Sequence, residues 1–116
     1  MSKEKTAINY IEFKSTDLVA TKKFYAGLFG WEFTDYGPSY IAFSNSGVEG
    51  GFELTTEEIG QGVLVVLHHD DLESILNEVK KAGGKISKEI FTFPGGRRFQ
   101  FLDPSGNELA IWTEEA

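Results

Sequence analysis

The densest run of chemically capable side chains is His68-His69-Asp70-Asp71, whose imidazoles and carboxylates are the types that bind metals or transfer protons. Neighbouring residues of a strand point to opposite faces of a sheet, so the two histidines cannot readily share one ion. The two aspartates fit the first turn of a following helix, where carboxylates are favoured. We expect His68 to be the histidine available for a polar or acid–base contact, on the same strand face as Leu64 and Val66.

A second candidate lies near the start of the chain, where Tyr10, Glu12 and Lys14 alternate with apolar residues and share one face of a predicted strand. Glu12 suits a general base if burial raises its pKa, and it equally suits an ion pair with Lys14 or Arg98. Tyr10 offers a hydroxyl and a ring for a ligand, or it fills space between strands.

A third candidate is the glycine-rich turn Pro94-Gly95-Gly96, which is followed directly by Arg97 and Arg98. Turn amides and a guanidinium fork suit a carboxylate or phosphate, but the run matches no phosphate-loop fingerprint. The alternative is an ordinary hairpin turn with one surface arginine and one arginine that faces the cavity. By strand alternation, Arg98 and Gln100 share one face.

The same alternation places Trp112 beside Ala110 and Glu108 on the last strand. That strand follows the turn Asp103-Pro104-Ser105-Gly106-Asn107, where Asp103 is expected to accept a hydrogen bond from the backbone two residues on. The segment from Phe99 to Trp112 therefore predicts a β-hairpin.

These side chains must be positioned by elements that occur twice in the same order, a strand, a helix and three strands. The first helix is expected to begin after Thr16 as N-cap and to end at Gly30. The second follows Asp71, and the apolar run at 63–67 predicts a strand buried on both faces.

Composition limits the function classes. The chain has 116 residues, no cysteine and a formal net charge of −7. The acidic balance argues against nucleic acid and anionic membranes as partners, since both require clustered Lys and Arg. No apolar run reaches the ~18 residues of a membrane span, and no secretory signal is apparent. We expect a cytoplasmic protein.

Four segments of the chain are specific enough to compare with known families, namely Asp17-Leu18, Lys23-Phe24-Tyr25, the run 28–33 and the run 101–107. Their resemblance is to the vicinal oxygen chelate superfamily of glyoxalase I, bleomycin-resistance proteins and extradiol dioxygenases. It implies an α+β fold, in which two βαβββ modules form a curved, incomplete mixed β-barrel with the helices outside. It also implies one domain over 1–116, with modules at about 6–55 and 63–114 and a connector at 56–62, and usually a homodimer.

Enzymes of this family bind a divalent metal through a His on the first strand and a Glu on the last strand of each module. Carried onto this sequence, those positions fall on Tyr10, Leu64, Ala110 and, for the last strand of module one, Glu53. Only one of these is a good ligand, and a catalytic metal requires about three. We therefore expect no metal and no other cofactor.

The resemblance allows three functions. The first is a protein that binds a small organic molecule in its concave cavity without metal. The second is a glyoxalase-type lyase or isomerase with a displaced or metal-independent site, for which Glu53, Glu12 and His68 are the weak candidates; the third is an interaction module. Whether the chain is an enzyme stays open. The expected cavity residues are Tyr10, Glu12, Glu53, Leu64, Val66, His68, Arg98, Gln100, Ala110 and Trp112.

Overall fold

Each half of the chain folds as one strand, one helix and three further strands in a computed structural model that describes residues 6–60 and 62–114. The first module comprises β1 Ile11–Ser15, α1 Leu18–Phe29, β2 Glu32–Asp35, β3 Tyr40–Ser44 and β4 Gly50–Leu54. The second module comprises β5 Val65–His68, α2 Leu72–Lys81, β6 Lys85–Phe93, β7 Gly96–Leu102 and β8 Glu108–Glu114.

The strands form two mixed sheets of identical topology. Sheet A has the order β1-β4-β3-β2 and sheet B the order β5-β8-β7-β6. In each sheet the first strand pairs parallel with the last, and the other pairs are antiparallel. The prediction of an α+β fold with two βαβββ modules is confirmed, and the described strands do not close into a barrel.

The helices begin at aspartates that accept hydrogen bonds from free amides of the first turn. Asp17, rather than the predicted Thr16, is the N-cap of α1, and its Oδ1 accepts from Ala20 N at 3.1 Å. The Thr16 amide instead donates to Ser105 Oγ of module two at 3.0 Å. The N-cap prediction was wrong because Asp is preferred over Thr as an N-cap, and Thr16 instead contacts the other module.

A single core fills the space between the helices and one face of each sheet. Tyr25, Phe52, Phe99 and Phe101 are fully buried in it. Rings of α1 also reach the other module, because Phe24 and Phe29 lie 6.2 and 6.4 Å from the Phe101 ring. Helix α1 therefore holds the two modules together as well as covering its own sheet.

The face of each sheet that points away from the helices is called its open face here. The apolar run of β5 was expected to be buried on both faces, and this was wrong: Val66 is 44% exposed. The helices cover only the face of Val65 and Leu67, so the alternate residues of this edge strand point to the open side.

Within residues 6–60 and 62–114, neither α1 nor α2 has the length and hydrophobicity of a membrane-spanning helix.

Candidate functional site

On the open face of sheet A, two phenols and a carboxylate form a hydrogen-bonded chain. Tyr40 Oη donates to Glu12 Oε1 at 3.0 Å, and the Tyr10 and Tyr40 hydroxyls lie 2.6 Å apart. Since the Tyr40 hydrogen goes to Glu12, Tyr10 is the donor to Tyr40. Desolvation, followed by the hydrogen bonds with Tyr10 and Glu12, raises the pKa of Tyr40 above its usual value. The oxygen of Tyr10 remains able to accept from a ligand.

A glycine makes room for these hydrogen-bonded side chains. Gly51 lies opposite both Glu12 and Ala42 in the sheet, and the Tyr40 ring lies against it. A Cβ at position 51 would be 2.3 Å from Tyr40 Oη and 2.6 Å from its Cζ. The absence of a side chain at Gly51 therefore determines where the two phenols can lie.

Glu53 lies on the same open face but is already paired. It is the register partner of Lys14, whose ammonium donates to Glu53 Oε1. This hydrogen bond raises the pKa of Lys14. Glu53 is therefore held in an ion pair, and a role for it as a base or metal ligand would require Lys14 to move.

Polar residues of sheet B form a second network. Glu108 Oε2 accepts from Ser87 Oγ at 2.6 Å and from Gln100 Nε2 at 2.9 Å, and these bonds lower the pKa of Glu108. Gln100 Oε1 in turn accepts from Arg98 Nη2 at 3.3 Å. As alternation predicted, Arg98 and Gln100 point away from Phe99 and Phe101, which are fully buried in the core.

His68 and Trp112 lie side by side on the same open face. They are register partners of β5 and β8, and their rings meet edge to face at 5.1 Å. His68 Nε2 lies 2.7 Å from Glu114 Oε1, a hydrogen bond that lowers the pKa of Glu114. His69 points elsewhere, and its Nδ1 accepts from the Asp71 amide at 3.0 Å. The structure therefore separates the two histidines, as strand alternation predicted.

The predicted site residues fall into two groups within one chain. Tyr10, Glu12 and Glu53 lie on or beside sheet A, whereas the larger group lies on or beside sheet B, namely Leu64, Val66, His68, Arg98, Gln100, Ala110 and Trp112. Across residues 6–60 and 62–114, no side-chain hydrogen bond, ion pair or ring contact joins the groups. A single chain thus presents two half-sites.

Two grooves run along the boundary between the modules. One, of about 550 Å³, is lined by Val66 and His68 together with rings such as Trp31. The other, of about 590 Å³, is lined by Tyr10, Glu12 and the exposed Ile8 and Val63. Neither groove is lined by Glu53, Arg98, Gln100, Ala110 or Trp112.

The positions that would hold a metal do not fit one. Tyr10 is hydrogen-bonded to Tyr40, and Glu53 forms an ion pair with Lys14. The side chains of Ala110 and Leu64 have no atom that could bind a metal. Within the described parts of the chain, no three His, Cys, Asp or Glu side chains converge. A catalytic metal needs roughly three protein ligands, so the residues at these positions do not fit one.

Sequence reasoning missed four residues of the open faces, Tyr40, Gly51, Phe91 and Phe93. Tyr40 alternates with the buried Ile41 and Phe43, so its face was readable from the sequence. The residues that Tyr40 contacts across the sheet could not be read from the sequence, because they depend on strand register. Phe91 and Phe93 follow a register shift in β6, which alternation alone does not place.

Comparison with known proteins gives consistent matches. The family model of the Glyoxalase/Bleomycin resistance protein/Dioxygenase superfamily matches residues 7–111. A "Glyoxylase-like domain-containing protein" of Didymella fabae is 31% identical over 91% of this chain and 92% of its own length. The "Putative glyoxylase CFP32" of Mycobacterium bovis is 25% identical over 90% of this chain, which spans only 44% of that relative.

Among solved structures, a glyoxalase/bleomycin resistance protein/dioxygenase family enzyme from Burkholderia phytofirmans PsJN superposes with a TM-score of 0.83. The match covers 95% of this chain and all of that chain at 19% identity. Likeness at this level of identity establishes the fold and leaves the reaction open.

Proposed function

Because the chain belongs to the Glyoxalase/Bleomycin resistance protein/Dioxygenase superfamily, we propose that it binds a small organic molecule between open faces of its sheets, without the metal common in the family. The cavity is completed by a second copy of the chain, so that the protein acts as a homodimer. In this proposal the two modules, joined at residues 56–62, act as one domain. The absence of cysteine favours the cytoplasm as its location.

The observation that carries the proposal is the chain Glu12–Tyr40–Tyr10 on the open face of sheet A. It lies where the family places a metal ligand, yet all its bonds are internal, and the Tyr10 oxygen still has capacity to accept from a donor. A phenol in this position supplies a polar contact and a flat ring to an organic ligand.

Two further observations support a composite cavity. The half-sites of one chain do not meet, and open-face residues of both sheets are exposed, including Tyr10 at 46% and Val66 at 44%. Ile8 and Val63 are 79% and 85% exposed beside the groove between β1 and the connector. Exposed apolar side chains of this kind are typical of surfaces that associate.

The enzyme alternative depends on Glu12, Glu53 or His68 as the proton-transferring group. In the structure these three groups are bonded to Tyr40, Lys14 and Glu114 respectively. A role as general base for any of them stays a prediction, because each would first have to break the bond that it makes in the structure.

The test is thermal unfolding of the purified chain, free of affinity-tag histidines, with a chelator, with divalent metals and with a panel of small organic compounds. A compound at a hundred times its dissociation constant adds about 2.7 kcal/mol to the free energy of unfolding, which raises Tm by several degrees. We expect organic compounds to raise Tm and metals to leave it unchanged. A metal-dependent rise that the chelator reverses would overturn the metal-free part, and no response to any organic compound would overturn the binding part.

A further inference from the structure

A row of four side chains crosses the whole of sheet B on its open face. In register order these are Phe91 of β6, Arg98 of β7, Trp112 of β8 and His68 of β5, each the direct partner of the next. Such partners have Cβ atoms about 5 Å apart and can touch one ligand together. The row therefore combines one guanidinium with three flat rings.

Arg98 is the cation of this row and lacks a carboxylate partner. Among the described residues no carboxylate oxygen lies within 4.0 Å of it, although the chain has a net charge of −7. Its Nε is buried and has no hydrogen-bond partner within residues 6–60 and 62–114. Its neighbour Arg97, by contrast, donates to both oxygens of Glu73, at 2.6 and 3.3 Å. The two adjacent arginines thus differ, because Arg97 is paired with a carboxylate and Arg98, among the described residues, is not.

The neighbours of Arg98 hold it in place without neutralising it. Its guanidinium lies 5.3 Å from the centre of the Phe91 ring and 5.9 Å from that of Phe93. Among the described residues, its hydrogen-bond acceptor is the neutral amide oxygen of Gln100, whose Nε2 donates to Glu108. An arginine fixed by rings and an amide retains its positive charge and most of its donors for an anion.

The surroundings indicate what kind of anion fits. Lys88 Nζ also lies over the Phe91 ring, at 5.9 Å, so a second cation adjoins the site. Trp112 is partly exposed beside Arg98, with Phe93 and His68 against its ring at 6.2 and 5.1 Å. A guanidinium fork matches the two oxygens of a carboxylate, and adjoining indole and phenyl faces favour a flat, conjugated body.

We propose that this row is a recognition site for planar aromatic or conjugated carboxylates, in which Arg98 binds the carboxylate and Trp112 covers the ring. The inference rests on the proposed function, because it names the ligand class and the part of the cavity that recognises it.

The test is calorimetric titration of the intact protein at neutral pH with cinnamate and with cinnamamide, which has the same shape but no charge. We expect cinnamate to bind about tenfold more tightly than cinnamamide, and acetate, which has no ring, to bind about tenfold more weakly than cinnamate. Arg98→Gln is expected to abolish the preference for cinnamate. Arg97→Gln, the matched control one residue away, is expected to retain it.

A second variant covers the case in which Arg98→Gln does not fold. Arg98→Lys keeps the charge but loses the fork, and we expect it to keep only part of the preference. Equal binding of cinnamate and cinnamamide, or a preference that survives in Arg98→Gln, overturns this inference and leaves the proposed function standing. Binding of other panel compounds but of neither probe does the same. Failure of every compound overturns both.

Discussion

Tyr25 of α1 donates its phenolic hydrogen to Asp103 Oδ2 at 2.8 Å, a bond between residues 78 positions apart and in different modules. Tyr25 is fully buried and Asp103 is 4% exposed. The carboxylate also accepts from the backbone amides of Ser105 and Asn107, both at 2.9 Å. The Asp103 carboxylate thus shapes the turn before β8 and also binds α1 of the other module. A single buried side chain therefore stabilises both the hairpin and the packing of the two modules.

Tyr25→Phe should therefore destabilise the protein without changing its fold. It removes one hydrogen bond to a buried charged group, and we expect a loss of about 1.5–3 kcal/mol in the free energy of unfolding, measured by urea denaturation. The matched control is Tyr36→Phe, since Tyr36 is 62% exposed and should lose less than about 0.5 kcal/mol. An equal effect of the two changes would contradict the role assigned to Tyr25.

The same bond predicts how stability responds to alkaline pH. Burial, followed by the nearby Asp103 charge and the hydrogen bond, raises the pKa of Tyr25 well above the value of 10.0 expected for an unfolded chain. Above pH 10 the unfolded state therefore releases a proton that the folded state retains, so stability should fall as pH rises. In denaturation measured at successive pH values, Tyr25→Phe should show a shallower decline than the wild type. An unchanged slope would contradict the assignment.

Residue types and their spacing were sufficient to predict the helices and strands and most of the residues on each strand face. They were not sufficient to predict which helices and strands contact each other. Asp103 was predicted to accept from the backbone two residues on, and it does so at Ser105. Its bond to Tyr25 was not predictable, because nothing in either segment encodes their contact. Likewise, the shared face of Arg98 and Gln100 followed from alternation, whereas the row with Phe91 and Trp112 required strand register.

The N-cap of α1 illustrates the same limit and gives a further prediction. Asp17→Ala removes the side-chain acceptor for the Ala20 amide, and we expect it to lower the free energy of unfolding by about 1 kcal/mol. Asp71→Ala, which removes the matching bond to the Ser74 amide in α2, should cost about the same. Thr16→Ala should cost less, since the Thr16 contact to Ser105 is made largely by its backbone amide. A larger loss for Thr16→Ala would restore the original cap assignment.

Gly51→Ala should disorganise the open face of sheet A. The new methyl group would meet Tyr40 at 2.3 Å, so the phenol must move and its bonds with Tyr10 and Glu12 must break. We expect the ultraviolet titration of the tyrosines to show one group moving back towards its ordinary pKa, together with weaker ligand binding. Overpacking of this kind costs about 1–3 kcal/mol.

The control for that variant is another glycine-to-alanine change. A Cβ at Gly27 would meet nothing within 4 Å, and this residue lies inside α1. Gly27→Ala should therefore raise stability by about 0.5–1 kcal/mol and leave the tyrosine titration unchanged. If both variants behave alike, the contact between Gly51 and Tyr40 does not organise the face.

Mixing two inactive variants tests whether the cavity combines sheet A of one chain with sheet B of its partner. Gly51→Ala damages the first face and Arg98→Gln the second, so each homodimer should bind cinnamate poorly at both of its sites. After subunit exchange, a heterodimer has one doubly damaged site and one intact site, because the intact faces come from different chains. Random pairing makes half of the dimers mixed, so about one quarter of all sites should recover in calorimetric titration. Mixing Arg98→Gln with Trp112→Ala, which damages the same face, should recover none. Sedimentation at equal concentration must show a dimer, and absence of recovery despite exchange would place the whole cavity within a single chain.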